Sequence, residues 1–250
     1  TLNDACHARK DGAIMIAEES TAWPRITGST KEDGIGFDYK WNMGWMNDFL
    51  DYMRCDPLFR KGKHGELTFS MIYNYSEDFI LALSHDEVVH GKGSMVGKMP
   101  GGMEDRFANL RLAYGYMMTH PGKKLLFMGQ DIAEFEEWNE ERAVQYDLVQ
   151  YDDHKNMQAY VKELNALYKT FPALHTLDHS PEGFEWINNI SANENVLVYL
   201  RKAEYDKDIL LVVCNFANEQ RKDYKIGVPF PGKYKEILNS DSKKFGGGNC

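Results

Sequence analysis

The sequence predicts an α/β protein, a parallel sheet with helices on its faces, followed by a smaller antiparallel all-β domain. Three observations lead there. Short apolar runs that stop abruptly in polar residues recur through the first two thirds, as in strands buried on both faces. Helical periodicities lie among them, and after Pro172 the pattern changes to closely spaced β-rich segments.

The first run, Ala13-Ile14-Met15-Ile16-Ala17, stops at Glu18-Glu19-Ser20-Thr21, and a less regular run covers Ile35 to Trp41. Phe79-Ile80-Leu81-Ala82-Leu83 stops at Ser84-His85-Asp86-Glu87, and Lys124-Leu125-Leu126-Phe127-Met128 stops at Gly129-Gln130-Asp131. Helices are expected where Trp45, Phe49 and Tyr52, then Phe107, Leu110, Tyr114 and Met117, then Tyr160, Leu164, Leu167, Tyr168 and Phe171 share faces at three-to-four spacing. Pro121-Gly122 should end the second of these. The expected order is β-α-β-α-β-α-β-α. Beyond Pro172, strands are expected at Val196–Leu200, Ile209–Val213, Tyr224–Ile226 and Tyr234–Leu238, separated by turn-forming Asp206-Lys207-Asp208 and Pro229-Phe230-Pro231-Gly232. The domains are then 1–175 and 176–250, the second read as part or most of an all-β domain, with Gly246-Gly247-Gly248 near its end.

Composition narrows the function classes. The chain has 250 residues, 43% hydrophobic and 27% charged, enough for a sizeable core. A formal net charge of -9 argues against nucleic acid as a partner, because such surfaces gather Lys and Arg to release counterions. No apolar run approaches the roughly 20 residues that cross a bilayer, so no membrane partner is expected. Cys6, Cys55, Cys214 and Cys250 form no C-x-x-C pair and suit a reducing compartment, with the cytoplasm as the expected location. The chain starts at Thr1 without a signal-like apolar segment, which suggests processing or a piece of something longer.

In parallel α/β architectures the chemistry gathers at the carboxyl ends of the strands. Those ends here carry Glu18 and Glu19, then His85, Asp86 and Glu87, then Gln130 and Asp131. Carboxylates facing one another across a cleft are what glycosidic cleavage needs, one giving a proton to the leaving oxygen and another stabilising or attacking the oxocarbenium-like carbon. Trp23, Tyr39, Trp41, Trp45, Tyr73, Tyr75 and Trp138 lie in or near the rim, where flat rings can stack on sugars.

Taken singly, each acid fits a helix cap or a surface charge as well; their shared position is what favours a site. Tyr114, Met117 and Met118 read as core. Glu134-Phe135-Glu136-Glu137 reads as a solvated loop with one aromatic anchor. A metal site on a helix is not expected, because His85 and His90 are five apart, roughly 140° around a helix of 3.6 residues per turn; a metal stays open only if the segment is a loop. No Ser-His-Asp order, P-loop or G-x-G-x-x-G after a strand is present.

Four strings are more specific: Ala17-Glu18-Glu19-Ser20-Thr21, Tyr39-Lys40-Trp41-Asn42-Met43-Gly44-Trp45, Leu83 through Lys92 (LSHDEVVHGK), and Pro121 through Gly129 (PGKKLLFMG). They closely resemble the 1,4-alpha-glucan (glycogen) branching enzymes of the alpha-amylase superfamily, glycoside hydrolase family 13. The resemblance implies a (β/α)8 TIM barrel followed by an all-β domain. Matched by position, Glu18 is the general acid/base after the fifth strand, with its neighbour Glu19 left open by spacing alone. Asp86 matches the third carboxylate, after the seventh strand, and His85 the histidine that helps bind sugar hydroxyls. Gly129-Gln130-Asp131 falls where the eighth strand meets the cleft. Expected substrate-binding residues are His85, Glu19, Trp41, Asn42, Gln130, Asp131 and Trp138.

The implied chemistry is retaining transglycosylation onto a glucan 6-hydroxyl, with glycogen, amylose or another α-1,4-glucan as partner and no metal or organic cofactor. Glu18 would then have to be protonated while Asp86 stays ionised. One departure matters. The family's nucleophilic Asp lies in an Arg-x-Asp segment before the Glu18 strand, and Thr1 to Gly12 reads instead as the tail of a helix. Arg54-Cys55-Asp56 and Arg221-Lys222-Asp223 do not fit that context. A complete barrel takes about 250 residues by itself. The expected fold is therefore the C-terminal half of a (β/α)8 barrel, strands five to eight, followed by an antiparallel sandwich. Such a chain is expected to be inactive alone and to self-associate through exposed half-barrel edges. Another superfamily hydrolase, a glucan-binding module without catalysis and, more remotely, a metal-dependent barrel enzyme are the competing readings.

Overall fold

The computed structural model describes residues 1–204 and 208–250. A short helix α1 (Leu2–Ala8), capped by the Thr1 hydroxyl and Asp4 carboxylate, leads into a four-stranded parallel sheet. Its strands are β1 (Ile16–Ala17), β2 (Tyr39–Trp41), β3 (Phe79–Leu83) and β4 (Lys123–Leu126), with Ala17 opposite Lys40, Trp41 opposite Ile80 and Leu83 opposite Leu126. Spatial order follows chain order, the arrangement of a barrel arc; a doubly wound sheet reverses at a switch point.

Burial along the sheet follows from that order. Of these four strands only β3 has every residue buried. The expectation that all four runs are buried on both faces fails at the edges. Ile14 is 61% exposed and Ile16 45% exposed beside the open edge of β1, and all of β4 is half-buried.

The β1 to β2 connection carries no helix, contrary to the alternating order expected. Residues 18–38 form a loop with one short turn at Thr30–Glu32. Pro24 lacks an N–H, and Gly28 and Gly34 lie so close that a Cβ on Gly34 would meet the Gly28 carbonyl oxygen at 2.0 Å. The buried Glu77 carboxylate holds this loop down by accepting the N–H groups of Ile26 (2.8 Å) and Thr27 (2.7 Å).

The three expected helices are present. α2 (Met43–Arg54) is capped by Asn42 and buries Trp45, Phe49 and Tyr52; after it come the short α3 (Gly65–Thr68) and α4 (Met95–Lys98). α5 (Met103–Thr119) buries Phe107, Leu110, Tyr114 and Met117, and ends before Pro121-Gly122, where Gly122 has φ 109°. α6 (Asp152–Thr170) buries Tyr160 and Leu164, while Leu167, Tyr168 and Phe171 are only half-buried. Among the described residues no helix is long and apolar enough to cross a membrane.

The second domain holds three antiparallel strands in the order β5 (Phe184–Asn188), β6 (Val196–Lys202) and β7 (Ile209–Asn215). β6 and β7 match two expected strands; β5 is additional. Tyr224–Ile226 and Tyr234–Leu238 are not strands, and the second layer of a sandwich is absent among the described residues. β-propensity reports fit to a half-buried pleated surface, and these segments find no partner edge. Of the expected turn at 206–208, Asp206 and Lys207 lie outside the described residues.

One continuous core joins the sheets: Tyr116 of α5 stacks edge-on against Tyr199 of β6 and Phe216 beyond β7. Beside it the fully buried Arg201 meets Asp178 at 2.7 Å and donates to Thr119 O at 2.8 Å. Asp178 also accepts from Lys123 (3.1 Å) and Tyr168 (2.8 Å). Burial pushes the Asp178 carboxyl up, but Lys124, Arg201 and Lys123 outweigh it and hold the pKa at about 2. Its stabilising contribution is therefore complete above its unfolded value of roughly 4 and lost as pH falls to about 2. Arg201→Met should leave a buried, partly compensated carboxylate and cost about 3 kcal/mol in urea unfolding, while Arg201→Met with Asp178→Asn should cost less. Equal losses in the two variants would contradict this.

Candidate active site

The carboxyl ends of the parallel strands place most of the expected residues along one rim, with different surroundings. Glu18 and Glu19 follow β1, Glu18 exposed and Glu19 half-buried. Glu19 accepts from Lys40 Nζ at 2.8 Å and from the Thr21 N–H at 2.8 Å. Lys40 is buried in β2 and reaches across to Thr21 O as well. These bonds, Lys40 first, hold the Glu19 pKa at about 2. Glu18 is exposed and forms no hydrogen bond or ion pair among the described residues. Glu19 is thus ionised and tied to Lys40, and Glu18 carries no such tie among the described residues.

β3 ends in a capped turn. The Ser84 hydroxyl accepts the Asp86 N–H at 3.2 Å, and the buried Glu87 carboxylate accepts the Ser84 N–H at 2.6 Å and its hydroxyl at 2.8 Å. Glu87 is thereby consumed in folding, and His85 and Asp86 are turned outward. His85 Nε2 lies 3.2 Å from the Asp86 carboxylate, their side chains 43% and 42% exposed. The imidazole sits against Phe127 and Trp138, with ring centroids 5.9 and 6.3 Å away. Phe127 and Trp138 meet edge-to-face at 5.3 Å, and the Trp138 backbone N–H donates to Val88 O at 3.0 Å. An acid, an imidazole and two aromatic rings therefore share one surface, the polar and apolar parts a sugar ring requires.

Other expected residues are placed differently. Asn42 is buried, its Oδ1 accepting the Trp45 N–H at 2.9 Å as the cap of α2, and Trp41 is half-buried in β2. Gln130 is buried and its Nε2 lies 3.4 Å from Leu83 O and Ser84 O, tying the end of β4 to the end of β3. Asp131 lines a groove of about 690 Å³ between α5, β4 and α6, with Met117, Leu126, Gln158 and Lys162. The Glu134–Glu137 loop has its aromatic anchor in Phe135, which stacks on Phe107 and His154. Among the described residues no three His, Cys, Asp or Glu side chains gather to hold a metal ion. His85–Val88 is a tight turn and His90 has φ 55°, so the two histidines do not share a helix.

Sequence reasoning does not single out Lys40, Phe127, Lys98 or Glu137, which build the rim. Lys40 had the one available signal, a lysine inside an otherwise apolar strand. Replacing it by Met should move the Glu19 carboxyl from about 2 up towards the ordinary carboxylate range, read by carboxyl-carbon NMR titration. An unmoved titration would show that Lys40 does not hold Glu19.

Residues 186–250 match the family model described as the alpha amylase C-terminal all-beta domain. Over 246 residues the chain is 52% identical to the 1,4-alpha-glucan branching enzyme GlgB of Geobacillus stearothermophilus and 51% identical to that of Bacillus caldolyticus. Each alignment covers 98% of this chain and 38% or 37% of the relative, so the chain spans well under half of the length of these relatives. Solved structures give the same fold at low identity. An Anoxybacillus alpha-amylase matches with TM-score 0.60 and 14% identity, over 89% of this chain and 46% of that one. A Geobacillus thermoleovorans alpha-amylase complexed with acarbose matches with TM-score 0.59 and 14% identity, over 87% and 45%.

Proposed function

From a chain whose curated homologues are 1,4-alpha-glucan branching enzymes, we propose that it forms the second half of a glucan-branching barrel, strands five to eight, and supplies two of its three carboxylates. The observation that carries the reading is the division of the β1 end: Glu19 is bound to Lys40, and Glu18 is left on the same parallel rim as Asp86.

In this reading Glu18 is the acid/base. A carboxylate nucleophile attacks C1 of a bound glucose unit, the C1–O4 bond breaks, and Glu18 gives its proton to O4 of the departing chain. A glucan 6-hydroxyl then attacks C1 and loses its proton to Glu18, the α-1,6 bond forms and the nucleophile is released. Asp86 and His85 hold the hydroxyls of the distorted ring, and Phe127 and Trp138 offer it an apolar wall. The nucleophile would come from a strand paired with the open edge of β1. The reading places the protein in glycogen synthesis in a reducing cytoplasm, which the four free thiols suit.

Proton NMR of treated amylose tests this. The 250-residue chain alone should leave the anomeric signals unchanged. Within a protein carrying the complete barrel, new α-1,6 signals should appear without new reducing ends. There Glu18→Gln and Asp86→Asn should each lower the rate about 10²–10⁴-fold. New reducing ends would favour hydrolysis instead.

The open edges of β1 and β4 present unpaired backbone groups, and Ile16 and Met128 lie there 45% and 52% exposed. On this basis the isolated chain associates, two copies supplying eight parallel strands. Sedimentation equilibrium should give a concentration-dependent dimer that Ile16→Lys weakens; an ideal monomer at all concentrations would contradict it.

A further inference from the structure

The segment after β3, residues 84–94, is fixed mainly by groups that reach its backbone. Beyond the Glu87 cap and the Trp138 N–H, two charged side chains grip it from different directions. Lys98 of α4 is buried, and its Nζ donates to Glu87 O at 2.6 Å, to Lys92 O at 2.7 Å and to Gly93 O. Glu137, on the loop after β4, accepts the Gly91 N–H at 3.0 Å and the Gly93 N–H at 2.6 Å. Between them the chain turns through φ 55° at His90, 80° at Gly91 and 74° at Gly93, which brings those N–H groups together on one carboxylate as an anion nest does.

We propose that Lys98 and Glu137 are positioning residues for the Asp86 end of β3, holding the 89–94 loop in place through its backbone. The proposal rests on the reading of Asp86 and His85 as sugar-binding groups. An ammonium has three N–H donors and no lone pair, and three carbonyls take all three.

The charged groups facing Nζ are Arg54 of α2, Lys92 and Glu87 of the segment and Glu137 opposite. Burial first, then Arg54 and Lys92, bring the Lys98 pKa down to about 8 against the pull of Glu87 and Glu137. The Gly91 and Gly93 N–H groups hold the Glu137 carboxyl below its usual range, so it stays ionised throughout. At neutral pH Lys98 is therefore protonated and keeps all three donors, the form in which it grips the loop.

Amide hydrogen exchange at Gly91 and Gly93 near neutral pH, corrected for intrinsic rates, tests the clamp, with α5 amides as reference. Lys98→Met and Glu137→Gln should each lower protection at Gly91 and Gly93 about tenfold while α5 stays protected. Unchanged protection at Gly91 and Gly93 in either variant overturns the proposal. Should Lys98→Met not fold, Glu137→Gln decides it. In a protein carrying the complete barrel, Lys98→Met should raise KM more than it lowers kcat. If Glu18→Gln and Asp86→Asn there leave branching unchanged, the branching reading falls, while the exchange data still decide the clamp.

Discussion

The buried ion pair between Arg201 and Asp178 sits where the end of α5, the start of β4, the side of α6 and the strand β6 meet. Its partners fix which end of the parallel sheet the second domain covers. Thr119 closes α5 and Lys123 opens β4, so the antiparallel sheet is attached at the amino ends of the parallel strands. The carboxyl ends, with Glu18, Asp86 and Phe127, stay clear of it. In (β/α)8 barrels chemistry gathers at the carboxyl ends and stability at the amino ends, and the Arg201–Asp178 pair lies at the amino ends here. Since burying such a pair rarely adds much net stability over apolar packing, its value lies in fixing one mutual placement of the two sheets.

Elsewhere the chain handles buried charge by binding it to main chain. Arg60, 1% exposed, donates to Met53 O, Cys55 O and Phe216 O and to the Asn109 amide oxygen. Glu77 takes two backbone N–H groups, Glu87 takes one, Glu137 takes two and Lys98 gives to three carbonyls. Loops have backbone groups that no ladder satisfies, and a charged side chain satisfies several at once with bonds stronger than neutral ones. The rim is consequently built of irregular chain that is nonetheless held in a single shape, as a site for a hydroxyl-rich ligand needs.

The division between what was legible in the sequence and what was not follows from the range of each interaction. The helical faces at Trp45–Tyr52 and Phe107–Met117 and the runs at β3, β6 and β7 were legible, because period and strong apolarity are local properties. The LSHDEVVHGK string located His85 and Asp86 at a strand end for the same reason. The missing helix between β1 and β2 was not seen, since the loop depends on Glu77, some fifty residues away, accepting the Ile26 and Thr27 amides. Tyr224–Ile226 and Tyr234–Leu238 have strand composition without a partner, and composition cannot report one. Spacing likewise left Glu18 and Glu19 equivalent; Lys40, on the neighbouring strand, is what separates them.

Bringing acids to one rim does not by itself make a proton donor. A carboxylic acid kept protonated near neutral pH needs burial or a close like charge, and a stabilising carboxylate needs the opposite. Glu18 is exposed, and the His85 and Asp86 side chains are more than two-fifths exposed. In the proposed reading the four strands supply the groups and their spacing, and a strand against the open edge of β1 would cover Glu18 and bring a nucleophile's charge beside it. On that reading the chemistry of Glu18 belongs to the closed barrel, while Glu19, bound to Lys40, is kept out of it.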